Sequence, residues 1–356
     1  MAEKKNQHFV PKVHLKYFAK DNFKKQIDIW LPKHNRIILG ASINDQCAKN
    51  YFYGKDLKVE NFFNFPEGVF GRISNRLVIK SSPTQSDLDA LLFFWLLQHI
   101  RSERAASEKI LLEVAMREKI SLGEEIDNNL EKFLGKPMSI PDVIKLNLDN
   151  ARYFYDSITD LRLAILINNT KCKFIMSDNP AVSSNKFTLK RFKNQNWGLA
   201  GAGIYLFMPI TPKIGFLDFD KYIYELSGRI GHTCKITDSE AKALNQLVYL
   251  FSDNLIVLPP NENHENTIEP LRKISQTKPE NLMRVNIAVK DDNQSSHEYT
   301  RYLTASDEDF KKFGGLIHIQ SLPPTVPMHF QKLKIKCNPR FIDTKSGAGL
   351  RRFRAK

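Results

Sequence analysis

An imidazole, a carboxylate and several guanidinium groups stand beside apolar segments of this chain, and together they could hydrolyse a phosphodiester. His8 follows Gln7 near the start. Asp178 lies in the turn Ser177-Asp178-Asn179-Pro180, and Arg101 and Arg104 close the most apolar stretch, Leu88 to Ala106. His8 could serve as general base, metal ligand or phosphate contact. Asp178, at the end of an expected strand, could hold a divalent cation such as Mg or Mn, or orient a base, with Glu60 as a further carboxylate. Arg101 would stabilise charge developing on phosphate oxygens, while Gln98 and Arg104, one helical turn to either side, would bind substrate. Each residue also has a structural reading. His8 could bond to backbone and fix the N-terminal segment. Asp178 could close an Asx turn through the Ala181 N–H. The arginines could form an ion-pair lattice with Glu103, Glu108 or Asp178. His99 reads as a core residue rather than a ligand.

The elements that must position these groups follow from the hydrophobic pattern. Ala90 to Leu97 is an unbroken apolar run. It is too Leu-rich for a half-buried strand and far shorter than the ~20 residues that cross a bilayer. It predicts a core helix running through Arg117, within a mostly helical stretch from Thr84 to about Asn169 that includes helices at Gly123 to Leu134 and from Pro141. Before it, Gln26–Leu31 and Arg36–Leu39 predict a hairpin, and Leu57 to Lys80 a helix interrupted near Pro66 and Gly68. After it, Cys172–Met176, Ile204–Met208 and Ile214–Phe219 predict strands, with a polar, Gly-containing loop over Ser183 to Gly203. Thr237-x-x-Glu240 is a capping box opening a helix to Phe251. Beyond a candidate linker at 261–283, strands at Arg284–Lys290, Leu316–Gln320 and His329–Lys336 and a helix near Asp307–Phe313 predict a small α/β extension. The fold class is therefore α+β: a helical middle flanked by short antiparallel strands, with a core domain over 1–260 and an extension over 284–356.

Composition narrows the function classes. The 356 residues carry a formal charge of +14, which favours polyanionic partners. The stretch Lys332 to Lys356 holds nine Lys/Arg and one Asp, and Arg351, Arg352 and Arg354 are its candidate phosphate contacts. Four scattered cysteines without a C-x-x-C pair argue against a zinc ribbon or a disulfide framework and suit a reducing compartment. The N-terminus has no apolar signal segment, so a cytoplasmic location with no membrane association is expected. P-loop, G-x-S-x-G, H-E-x-x-H and dinucleotide Gly motifs are absent.

Gln7-His8-x-x-Pro11, Phe52-Tyr53, Arg101/Arg104, Ser177-Asp178-Asn179-Pro180, Pro209-x-x-Pro212 and Leu244-Asn245 occur in that order. This series resembles the bacterial domain of unknown function 4238 family over about Asn6 to Leu258. Met176 and His14 depart from the family pattern, so His14 inherits no role. The resemblance implies no settled activity, only a kinship with bacterial conflict and phage-defence proteins. Two readings stand. One is a nucleic-acid-directed effector acting as a metal-dependent nuclease through His8, Asp178 and Arg101. The other is a non-catalytic protein that binds RNA, DNA, a protein partner or its own copy. A toxin acting on a protein or nucleotide is a third.

Overall fold

The computed structural model of the chain describes residues 5–21, 23–123, 135–191, 198–260, 262–293, 301–322, 324, 326–343 and 349–351. Its centre is a six-stranded sheet in the order Arg229–Ile230, Thr233–Lys235, Arg162–Ile167, Ile214–Phe219, Tyr205–Thr211, Val182–Ser184. All pairs are antiparallel except Thr233–Lys235 against Arg162–Ile167. Side chains alternate across a strand, and here both faces are apolar. Leu163, Ile165, Leu206, Met208 and Phe216 enter one core, while Ala164, Leu166, Phe207, Leu217 and Phe219 enter another.

The Gln85–Ile100 helix covers the first face. Thr84 and Asp87 close its N-terminus as a capping box, and Trp95 Nε1 donates to the Phe207 carbonyl at 3.1 Å. The helix does not continue through Arg117. It ends at Arg101, and a separate helix, Glu103–Gly123, restarts after Ser102. The Lys58–Val78 helix, in contrast, runs unbroken through Pro66. Asp238–Phe251 opens on the expected Thr237/Glu240 capping box and covers the sheet's second face, with Ala241, Leu244, Leu247 and Val248 buried there.

The hairpin of Gln26–Leu31 and Arg36–Ser42 belongs to a four-stranded antiparallel sheet completed by Ile256–Val257 and Met176–Ser177. Three other expectations change. Arg162–Ile167, placed in the helical stretch, is a central strand. The expected loop 183–203 holds the strand Val182–Ser184 and the helix Lys186–Arg191, with Phe187 buried. The stretch read as a linker carries the helix His264–Arg272, whose Ile268 and Leu271 are buried in the second core. The helix expected at Gly123 to Leu134 lies almost wholly outside the described residues.

Beyond it, Tyr302–Thr304, Met283–Lys290 and Leu316–Ser321 form an antiparallel sheet with the Asp307–Phe313 helix. This unit leans on Glu103–Gly123 through Leu282 N–H to Glu108 at 2.9 Å and Lys119 to Asp307 at 2.7 Å. The chain then returns to the main body, where Leu333–Ile335 pairs with Tyr224–Leu226. Among the described residues no helix is long and apolar enough to cross a membrane.

Candidate functional site

The motif residues near the N-terminus do converge, but on one another's backbone. Gln7 accepts from Tyr53 N at 2.6 Å and donates to the Gly54 carbonyl at 3.0 Å. Tyr53 donates its hydroxyl to the His8 carbonyl at 3.0 Å, and Gln98 donates to the Phe9 carbonyl at 2.7 Å. The His8 ring is buried, with Nε2 3.2 Å from the Ile43 carbonyl; burial lowers its pKa, and nearby Lys12 lowers it further. It is therefore a neutral donor that pins the N-terminal strand.

Arg101 is 1% exposed. Its guanidinium donates to Glu67 at 2.9 Å and to Gln98 Oε1 at 3.1 and 3.3 Å, and it stacks 4.1 Å over the Phe63 ring. Sequence reasoning named Glu60 and missed Glu67. Glu67 lies seven residues, two helical turns, further along the same helix face, and that spacing was the available signal. Both glutamates act electrostatically on Tyr53, whose phenol is raised chiefly by burial.

Asp178 is 5% exposed and joins a different knot. Its carboxylate accepts from Asp253 N at 2.9 Å, Asn254 N at 2.6 Å and Leu255 N at 3.1 Å. The local turn expected at Ala181 N–H is made instead by Ser177 Oγ, which accepts from Asn179 N at 3.2 Å. Burial raises the Asp178 pKa, and the three N–H groups pull against that shift. Arg104 holds the same chain reversal, donating to the Ser252 carbonyl at 2.6 Å and facing Glu108 at 3.6 Å. Of the expected lattice partners only Glu108 meets Arg104; Glu103 pairs with Lys49. Because the helix breaks at Ser102, Arg101 and Arg104 point into separate networks. Among the described residues no hydrogen bond or ion pair joins Asp178 to His8, Arg101 or Arg104.

No group of three or more His, Cys, Asp and Glu could hold a metal ion among the described residues, so His8, Asp178 and Glu60 do not form a cation site. Arg351, expected as a phosphate contact, is 0% exposed. It reaches Asp160 at 2.9 Å and the carbonyls of Leu199 at 2.6 Å and Gly201 at 3.2 Å, and it also bonds the Ser157 carbonyl. This is an internal clamp. Arg352 and Arg354 lie outside the described residues. His99 is the core residue expected, stacked on Trp95 at 4.7 Å with Nδ1 3.0 Å from the Ala181 carbonyl. His14 ties the N-terminal segment to the Pro209-x-x-Pro212 loop, bonding the Pro209 carbonyl at 2.6 Å; burial lowers its pKa to about 4.

The profile of the protein family of unknown function DUF4238 matches residues 6–261, well over half of the chain. The chain belongs to the DUF4238 family. The match encloses the networks of His8, Arg101 and Asp178 but not Arg351, and ends just before the His264–Arg272 helix. No curated protein and no solved structure shows significant similarity to this DUF4238 chain.

A cleft of about 710 Å³ has the opposite character. Lys16, Tyr17 and Lys24 come from the N-terminal segment, Leu77, Val78 and Lys80 from the end of the long helix, and Ile167, Lys173, Lys213 and Ile214 from the sheet. Lys16, Lys24, Lys80 and Lys213 are exposed, and none has a carboxylate partner among the described residues. Of the two acids at the cleft, Asp21 is engaged in capping the N–H groups of Lys25 and Gln26. Tyr17 is held by the Gly71 carbonyl and Asn75 at 2.9 Å. Beside the rim, Phe23 and Ile79 are 81% and 75% exposed.

Proposed function

We propose that this DUF4238 protein binds nucleic acid in the lysine-lined cleft and does so without cleaving it. The observation that carries this reading is the pairing of four exposed lysines, none in an ion pair among the described residues, with an apolar floor and a fixed tyrosine over which Lys24 stands at 5.8 Å. Cations that track phosphates beside rings on which bases stack are the chemistry of single-strand binding. The residues suited to a nuclease centre serve the fold in this reading. His8 anchors a strand, Asp178 a chain reversal and Arg101 a helix end. Four free cysteines, two of them buried, fit a reducing cytoplasm.

The test is fluorescence anisotropy with labelled single-stranded RNA, single-stranded DNA and duplex across a salt series. Binding should weaken with salt. In the variant carrying Lys16→Glu, Lys24→Glu, Lys80→Glu and Lys213→Glu, the log–log salt slope should flatten by about 3, four contacts at ~0.7 each on a single strand. Unchanged affinity in that variant would remove the cleft from the account. Cleavage in Mg²⁺ or Mn²⁺ that His8→Ala abolishes in a folded protein would replace binding with hydrolysis.

A further inference from the structure

We infer that a second, smaller cavity, between the Glu103–Gly123 helix, the Ser177–Pro180 turn and the start of the Met283–Lys290 strand, binds a single mononucleotide. Its volume is about 260 Å³. That is just below the ~300 Å³ at which pockets for drug-sized ligands begin, which suits one heterocycle with a short arm rather than a polymer.

Two side chains are set next to each other by consecutive carbonyls at the end of the Asp238–Phe251 helix. Asn179 Nδ2 donates to the Phe251 carbonyl at 3.1 Å, and Arg104 Nη1 donates to the Ser252 carbonyl at 2.6 Å. Both residues line the cavity; Arg104 Nη2 donates to the Pro279 carbonyl at 3.4 Å, while one further polar atom of each residue, Asn179 Oδ1 and Arg104 Nε, is buried without a partner among the described residues. A buried polar atom without a partner is costly, so a ligand that satisfies it binds with that advantage. An acceptor beside a donor is the complement of a nucleobase edge, where a donor stands beside an acceptor.

The walls fit the rest of such a ligand. Phe251 and Met283 offer apolar surface to a planar ring. Lys109 bonds the Asn147 amide, stands 5.8 Å from the Phe154 ring centroid and has no carboxylate partner among the described residues; burial lowers its pKa. A phosphate would supply the missing opposite charge. Glu108 does not compete for Lys109, because it accepts from Leu282 N at 2.9 Å and faces Arg104. Asn179 and Arg104 lie within the family match and Met283 beyond it, so the C-terminal segment completes the cavity. This site is independent of the lysine cleft.

Isothermal titration of the full chain with AMP, GMP, UMP and CMP tests the proposal, with adenosine and ribose 5-phosphate as controls. At least one mononucleotide should bind saturably at one site. Its nucleoside, and the Lys109→Ala protein, should bind about tenfold more weakly. Met283→Trp should abolish binding by filling the wall, and the four-lysine cleft variant should bind as the parent does. Three results would overturn the site: no saturable binding of any mononucleotide, binding indifferent to Met283→Trp, or ribose 5-phosphate binding as tightly as the nucleotides.

Discussion

The lysine cleft and the buried polar knots contain the same kinds of side chain in opposite circumstances. In the knots around Arg101, Asp178 and Arg351, each of these three buried charges meets a backbone group or an opposite charge. In the cleft, Lys16, Lys24, Lys80 and Lys213 are exposed and make no ion pair with a carboxylate among the described residues. A charge that the fold already neutralises has little left to offer a ligand, whereas an exposed and unopposed one does. Chemical type alone does not separate the two circumstances; burial and pairing do. Function should be sought where charge is left over.

Substitution can break this contrast, starting with the knots. Arg351→Ala would leave Asp160 buried without its partner, a loss of about 3–5 kcal/mol. Chemical denaturation should show it as a lowered midpoint, and any nucleic-acid affinity measured on the protein that remains folded should be unchanged. A protein that keeps its stability but loses salt-dependent binding would return Arg351 to the role of phosphate contact.

The next largest effect is on pH. Burial holds His14 at about 4 against an ordinary 6.5. As pH falls below 6.5 the unfolded chain takes up this proton first, and the folded chain follows only near 4, so stability is lost across that window by up to about 3 kcal/mol. In His14→Gln the decline between those values should become shallower, as read by denaturation midpoints at stepped pH. An identical slope would mean that other groups govern acid unfolding.

Removing charge from the cleft should act on binding alone. Replacing its four exposed lysines by alanine is expected to cost about 2 kcal/mol of nucleic-acid affinity, roughly thirtyfold, with the melting temperature unchanged. His8→Ala should have the smallest effect, about 1 kcal/mol of stability for one lost hydrogen bond. A larger fall in binding than in stability would draw His8 back toward the ligand.

Local signals in the sequence were reliable where local physics decides structure. The capping residues Thr237 and Glu240, the hairpin around Pro32 to Asn35 and the core packing of His99 could all be read directly. Arg162–Ile167 was misread because LRLAILI is Leu-rich, and its strand state comes from flanking partners at Ile214–Phe219 and Thr233–Lys235. The site was harder to read. The sequence grouped His8, Asp178 and Arg101 in one site, whereas Gln7, Tyr53 and Gln98 gather around the His8–Phe9 backbone and Asp178 bonds elsewhere. Pattern could not reveal that Gln7, Tyr53 and Gln98 bond backbone carbonyls, nor that the break at Ser102 sends Arg104 into a network apart from that of Arg101. The cleft escaped notice because its lysines are scattered from Lys16 to Lys213 and only folding gathers them.

The four-stranded sheet has a consequence for how the chain is made. Its strands come from residues 26–42, 176–177 and 256–257, so the early hairpin waits for a neighbour more than two hundred residues downstream. Pairings that distant form slowly, and at ~5–20 residues per second a ribosome exposes the open edge of Gln26–Leu31 for about ten seconds or more. During translation the hairpin is therefore made well before the strand that covers its edge. In that interval it is most open to chaperones and to mispairing with other nascent chains.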